Sequence, residues 1–189
     1  MKDYTIWDEK GFGQLPQKIN LLDSNIFIGA VRCYPDCWRI VESQDNSTLK
    51  FGIAYGTEKE IIKCLIKKYN GLGCSWVYNI LKNRNFIRIR LDKKLIKNKE
   101  KYGSVDGALL TLAKLNEVEN IVSLDSHLSK DRKFIRPFDF VIKYGNELIK
   151  LDEKWREFKK GLEEERERLK TKEYSLEDFE ELWIVPYDY

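Results

Sequence analysis

The sequence predicts an α/β protein: a three-layer α/β/α sandwich around a central, mainly parallel sheet, followed by a C-terminal helical extension. Three observations lead there. Short apolar runs of strand character ("INLLD", "LKFGIAY", "FIRIRL", "NIVSLD", "FDFVI") are separated by segments with helical period. Strands alternating with helices of this length are joined by crossovers, which make neighbouring strands parallel and cover both faces of the sheet. The chain has 189 residues, enough to bury the core of one main domain. The expected division is an N-terminal extension over 1–17, the α/β domain over 18–145 and the helical extension over 146–189.

The elements follow in order. "INLLD" reads as a buried strand, and "SNIFIGAVRCY" after it is apolar enough for one buried helix. "ESQDNST" is a polar loop. "LKFGIAY" is the next strand, and "TEKEIIKCLIKKYNG" a helix with Ile61, Ile62, Leu65, Ile66 and Tyr69 on one stripe and Gly71 as its stop. "WVYNILKN" is a short helix. In "FIRIRL" the period of two puts Arg88 and Arg90 on the face opposite Ile87 and Ile89. "GSVDGALLTLAKLNEV" is a helix with Ser104 as its N-cap and Asp106 in its first turn. "NIVSLD" and "FDFVI" are the remaining strands. Beyond them Leu148, Leu151, Trp155, Phe158 and Leu162 recur at spacings of three and four, a coiled-coil-like seam that suits a helix laid back across the domain or a dimer or partner interface. A second, shorter helix is expected from Ser175, where "SLED" has capping-box form.

Composition excludes several classes. Hydrophobic residues at 42% are too many for a disordered chain, and no apolar run approaches the roughly 20 residues of a membrane span. "MKDYTIWDEKGFGQLPQ" holds no continuous apolar segment of the signal-peptide kind, so a cytoplasmic protein without a membrane partner is expected. Cys33, Cys37, Cys64 and Cys74 do not make two tight pairs, which argues against structural zinc and for reduced thiols. The net charge of +3 is unevenly distributed: Lys82 to Lys101 holds nine basic residues against Asp92 and Glu100. That block suits a polyanionic partner such as RNA, with Arg88 and Arg90 as its central residues and "RKFIRP" adding to the surface.

In a parallel α/β sheet ligands bind beyond the carboxyl ends of the strands, so acids that end apolar runs are the ones to collect. "NLLDSN" delivers Asp23 and "IVSLDS" delivers Asp125 to the same edge. Asp106, on the helix before the second of these strands, belongs near it. At the start of the helix after "FGIAYGT", Glu60 completes a Thr57-x-x-Glu60 capping-box spacing while Glu58 falls on the buried stripe, and either can reach the edge. Carboxylates that converge without bases repel one another, and hard divalent cations with oxygen ligands relieve this, so Mg2+ or Mn2+ is expected. Such ions activate water and neutralise a phosphodiester in an in-line displacement.

These residues resemble the PIN-domain ribonucleases. The family's opening Asp-Ser/Thr-Asn after an apolar strand is matched by "LLDSNIFIG", its acid on a small-residue helix by "GSVDGALLTLA", and its closing Thr/Ser-x-Asp by "IVSLDSHL", in the same order over about residues 19 to 142. The resemblance implies Asp23, Asp106 and Asp125 as metal ligands, directly or through water, with Asn25 and Ser123 in support. It implies Glu60 as the fourth acid, with Glu58 as the alternative. The implied reaction is metal-dependent endonucleolytic cleavage of RNA leaving a 5′-phosphate, in RNA processing, defence or a toxin role; a protein inhibitor or a homodimer through the C-terminal helix are the protein partners to expect.

Other readings compete. The acids as helix caps would leave a catalytically inactive module that binds RNA or a partner. Asp23 after a first strand also resembles the haloacid-dehalogenase-type phosphohydrolases, but Asn25 stands where they place a second Asp, and an amide cannot shuttle a proton. His127, two residues beyond Asp125, reads as a surface histidine.

Overall fold

The structure, a computed structural model, describes residues 4–8, 11–12, 18–45, 48–83, 86–91 and 99–182, with the backbone alone for 4–8, 11–12, 45, 83 and 99–104. Its strands form one sheet: β1 (Tyr4–Asp8), β2 (Gly11–Phe12), β3 (Ile19–Leu22), β4 (Lys50–Ala54), β5 (Ile87–Leu91), β6 (Val118–Val122) and β7 (Phe134–Ile135). The order is β2-β1-β5-β4-β3-β6-β7. The five strands from β5 to β7 are parallel, and β1 and β2 extend the β5 edge antiparallel. The N-terminal extension thus adds a hairpin to the sheet and covers a strand edge that would otherwise be open.

Strand order positions the site. From β3 the chain moves outward through β4 to β5, then returns to place β6 on the other side of β3. The connections after β3 and β6 leave in opposite directions, and the crevice between them at the carboxyl edge is where such sheets bind ligands. All four residues of β3 are buried, as a central strand covered on both faces requires. Asn20 and Asn120 pair at the same level of β3 and β6, Asn120 Nδ2 donating to Asn20 Oδ1 at 2.7 Å. That satisfied polar pair resists a slip in strand register.

Helix α5 (Lys99–Leu112) covers one face, with Leu109 and Leu112 against Ile19, Leu21, Ile89 and Ile121. The other face carries α1 (Ser24–Val31), α2 (Pro35–Glu42), α3 (Thr57–Tyr69), α4 (Cys74–Asn83), α6 (Pro137–Tyr144) and α7 (Glu153–Arg168). The C-terminal seam lies back across this layer: Trp155 meets Trp38 at 5.0 Å between ring centroids, Phe158 meets Trp76 at 4.7 Å, and Leu162 is buried. Much of the apolar stripe that suggested a dimer interface is therefore covered within the chain. Buried Glu165 of α7 accepts from the backbone N–H groups of Gly73 (2.7 Å) and Ser75 (3.2 Å), capping α4 from a distant part of the sequence. Gly73 has φ +83°, and a Cβ there would stand 2.4 Å from Val31 Cγ2.

Several local expectations are corrected. "SNIFIGAVRCY" is not one helix; α1 ends at Val31, Cys33 takes φ 61°, and Pro35 begins the separate α2. Proline at a first helical turn is stable because the N–H it lacks has no partner there. "FDFVI" is not a strand but most of α6, again begun by a proline, Pro137; the strand at that place is Phe134–Ile135, within "RKFIRP". Ser104 is not an N-cap, since α5 starts at Lys99, so Asp106 lies in mid-helix and no favourable end-of-helix charge accounts for it. After Ser175 the chain forms a 3-10 helix, Glu177–Leu182, while Ser175 N–H donates to Asp178 Oδ2 at 2.8 Å, the reach-back half of a capping box. Cys33, Cys37, Cys64 and Cys74 are free thiols. No helix among the described residues is long and apolar enough to cross a membrane.

Candidate active site

Asp23, Glu60, Asp106 and Asp125 line one open pocket of about 400 Å³ at the carboxyl edge of the sheet. They come from four elements: the turn after β3, the first turns of α3, the middle of α5 and the turn after β6. Asp23 holds the N-cap position of α1 without making a side-chain capping bond, so the helix-cap account of this acid does not apply. Instead Asp23 Oδ2 accepts from Ser123 Oγ at 2.5 Å and from Asn25 Nδ2 at 2.6 Å.

Asn25 and Ser123 fasten the two strand ends together. Asn25 Oδ1 accepts from Leu124 N–H at 2.9 Å, and Ser123 Oγ accepts from Asp125 N–H at 2.9 Å. Each supporting residue therefore bridges the turn after β3 to the turn after β6. Asp125 Oδ1 accepts from His127 N–H at 2.8 Å, capping the 3-10 helix Ser126–Lys130. Asp125 is thus both a cap and a wall of the pocket.

Glu58 and Glu60 have different surroundings. Gly56, at φ +94°, is the N-cap of α3, and Thr57 Oγ1 finds no partner, so the capping box read from Thr57 and Glu60 does not form. Glu60 faces the pocket. Glu58 points into the core, where its Oε1 accepts from Arg88 Nε at 2.8 Å. It does not line the pocket.

The alternation in "FIRIRL" is as read: Ile87 and Ile89 pack toward α5, while Arg88 turns to the opposite face. That face is covered by α3 and α4 rather than by solvent, and Arg88 also donates through Nη2 to the Leu81 carbonyl at 2.5 Å. Arg88 is accordingly a core ion-pair residue and not part of an exposed RNA-binding face. Arg90 lies over the Tyr55 ring at 5.1 Å, and Lys82 pairs with Glu181 at 3.1 Å. Arg84, Lys93, Lys94 and Lys97 lie outside the described residues.

The electrostatics follow from this placement. Burial raises the Asp23 carboxyl above its ordinary range, opposed by the Ser123 hydrogen bond and reinforced by Asp125. Desolvation, then the charges of Asp23 and Asp106, push Glu60 up to about 7. Desolvation, then Asp23 and Asp125, push Asp106 up to about 6, with His127 acting in the opposite direction. His127 is exposed, as read from sequence, and its charge acts on Asp106. Glu60 is exposed at the pocket mouth, so salt screens the repulsion it feels from Asp23 and Asp106.

An all-oxygen donor set whose members raise one another's pKa fits a hard divalent cation in type and charge. Among the described residues no three His, Cys, Asp or Glu side chains are gathered tightly enough to hold a bare ion. A hydrated Mg2+ keeps several of its waters and takes only one or two carboxylates directly, so it does not require three side chains at ligand distance. Sequence reasoning missed the other wall of the pocket, formed by Lys63, Cys64, Lys67 and Lys68 of α3. The signal was present: these positions follow Glu60 at three, four, seven and eight residues, one helical face.

The molecule is a parallel α/β domain with an acidic crevice at the switch point of its sheet. No family model, curated protein or solved structure matches the chain.

Proposed function

We propose that the chain is a PIN-like, Mg2+- or Mn2+-dependent endoribonuclease. The observation that carries this reading is the convergence of Asp23, Glu60, Asp106 and Asp125, from four separate elements, on one pocket. Asp23 is buried and held by Asn25 and Ser123, a pre-organised acid of the kind catalysis requires. Glu60 and Asp106 stand on different helices, and their carboxyls, raised to about 7 and about 6 without an ion, carry the mutual repulsion that a bound cation would relieve. Asp125 completes the acidic wall from the β6 side. A bound divalent ion would supply charge neutralisation at the scissile phosphate and acidify a water.

A second reading has an observation of its own. Because no three acids among the described residues stand at bare-ion distances, the pocket also suits a module that binds RNA without cutting it. Phosphohydrolase chemistry is less well served, since Asn25 is an amide engaged with Asp23, Ser123 and Leu124. The discriminating experiment is Mn2+-dependent cleavage of labelled single-stranded RNA by the wild type and by Asp23→Asn, with melting temperatures. Cleavage to 5′-phosphate products, abolished in a variant that melts no lower, supports the nuclease. Full cleavage by Asp23→Asn overturns it, and RNA binding by the wild type without turnover favours the module.

A further inference from the structure

We infer that the Lys63–Lys67–Lys68 face of α3 is the track that holds the sugar-phosphate backbone of a single-stranded nucleic acid against the acidic pocket. For its substrate class the inference rests on the nuclease reading; its geometry is independent. All three lysines line the same pocket as the four acids, and all three are exposed. Glu60 stands three and seven residues before Lys63 and Lys67, and the first of these is a spacing at which helical ion pairs form, yet no salt bridge joins Glu60 to Lys63. The lysines stand on the exposed wall of the pocket, and their charges are not neutralised by the acid nearest in sequence.

Charge logic makes the lysines necessary. A phosphate backbone approaching four carboxylates meets repulsion, and cations placed beside the acids offset it without occupying the floor where the reacting phosphate must lie. From Glu60 to Lys68 the helix rises about 12 Å, so the row leads away from the acids along a length that several backbone phosphates of an extended strand can follow. Lysine suits this role because it meets phosphate as a mobile point charge with no demand on base identity. The described cations of the "FIRIRL" strand engage other groups: Arg88 is bonded to Glu58, and Arg90 covers Tyr55. Among the described residues, the α3 face is a basic surface continuous with the acids.

The test is fluorescence anisotropy of a short fluorescein-labelled single-stranded RNA in EDTA, so that binding is read without cleavage, over about 50 to about 200 mM salt. The proteins are the wild type, the triple variant Lys63→Gln/Lys67→Gln/Lys68→Gln, and the charge-retaining triple arginine replacement. The expected result is a salt slope lower by about 2 in the glutamine variant, at about 0.7 for each phosphate of a single strand that is no longer neutralised, with binding restored by arginine. Circular dichroism melting checks the glutamine variant; should it unfold, the single Lys67→Gln change, expected to lower the slope by about 0.7, replaces it. An unchanged slope in a folded variant overturns the track and leaves the nuclease reading standing. Lysine-dependent binding by a wild type that never cleaves RNA keeps the track and removes the nuclease. Displacement of the RNA by polyglutamate at equal charge concentration overturns the assignment to nucleic acid.

Discussion

Arg88 on β5 donates to Glu58 on α3 at 2.8 Å, with the two side chains 14% and 2% exposed. This ion pair ties the first turn of α3 to the sheet and so sets the position of Glu60 two residues later. Burial pushes the Glu58 carboxyl upward, and the Arg88 charge is the main force opposing that shift. Replacing Arg88 by Met leaves a buried carboxylate without its partner and is expected to cost about 3–5 kcal/mol. Replacing both residues by apolar ones should recover much of that loss. Urea denaturation of the two single variants and the double variant measures it; a single Arg88→Met change as stable as wild type would show that the pair does not hold α3.

Stability should fall as pH rises toward neutrality. Glu60 and Asp106 titrate at about 7 and about 6 in the folded chain, against about 4 for unfolded carboxyls. The folded state therefore binds more protons between about pH 4 and about pH 7, and stability declines across that window and levels off above it. Chemical denaturation in EDTA at a series of pH values reads this directly. Asp106→Asn should flatten the decline, and Mn2+ should raise the melting temperature more at pH values above about 7 than at about pH 5.

Asn25→Asp should be more damaging than its size suggests. Asn25 Nδ2 donates to Asp23 Oδ2 and to Ser123 Oγ. A carboxylate in its place turns that donor into an acceptor facing acceptors and sets a second charge beside buried Asp23. A loss of about 1–3 kcal/mol is expected near neutral pH, shrinking in acid as one carboxyl takes a proton. Denaturation midpoints at neutral and acidic pH test it, and a variant as stable as wild type at neutral pH would exclude the bridging role.

The C-terminal helix should be required for folding. Glu165→Ala removes the acceptor of two backbone N–H groups at the start of α4, with an expected loss of about 1–3 kcal/mol. A chain ending before Asp152 would expose Trp38 and Trp76, which Trp155 and Phe158 cover. It should aggregate or melt far lower than the full chain, as size-exclusion chromatography and thermal denaturation would show.

Local sequence is enough to place the parallel strands at the centre of the fold and to say where they end. An apolar run that stops at an acid is a local feature, and in a parallel sheet every such stop reaches the same edge, so Leu22-Asp23-Ser24 and Leu124-Asp125-Ser126 mark the site on their own. The α3 stripe and its αL exit at Asn70 follow from helical period and a nearby stop signal. What depends on partners distant in the chain is set only when the elements pack. Local period puts Glu58 on the buried stripe but does not say which acid the site takes; Arg88, thirty residues on from Glu58, holds Glu58 in the core, and Glu60 stays at the pocket. The same contact turns Arg88 from a surface cation into a core residue, because alternation tells two faces of a strand apart but cannot say which one a helix will cover. The short helices α2 and α6 are not legible in the sequence because they hold too few turns for period to separate helix from loop or strand. The acids are readable one at a time; their charge coupling, and the lysine wall beside them, come from helices packed across a sheet.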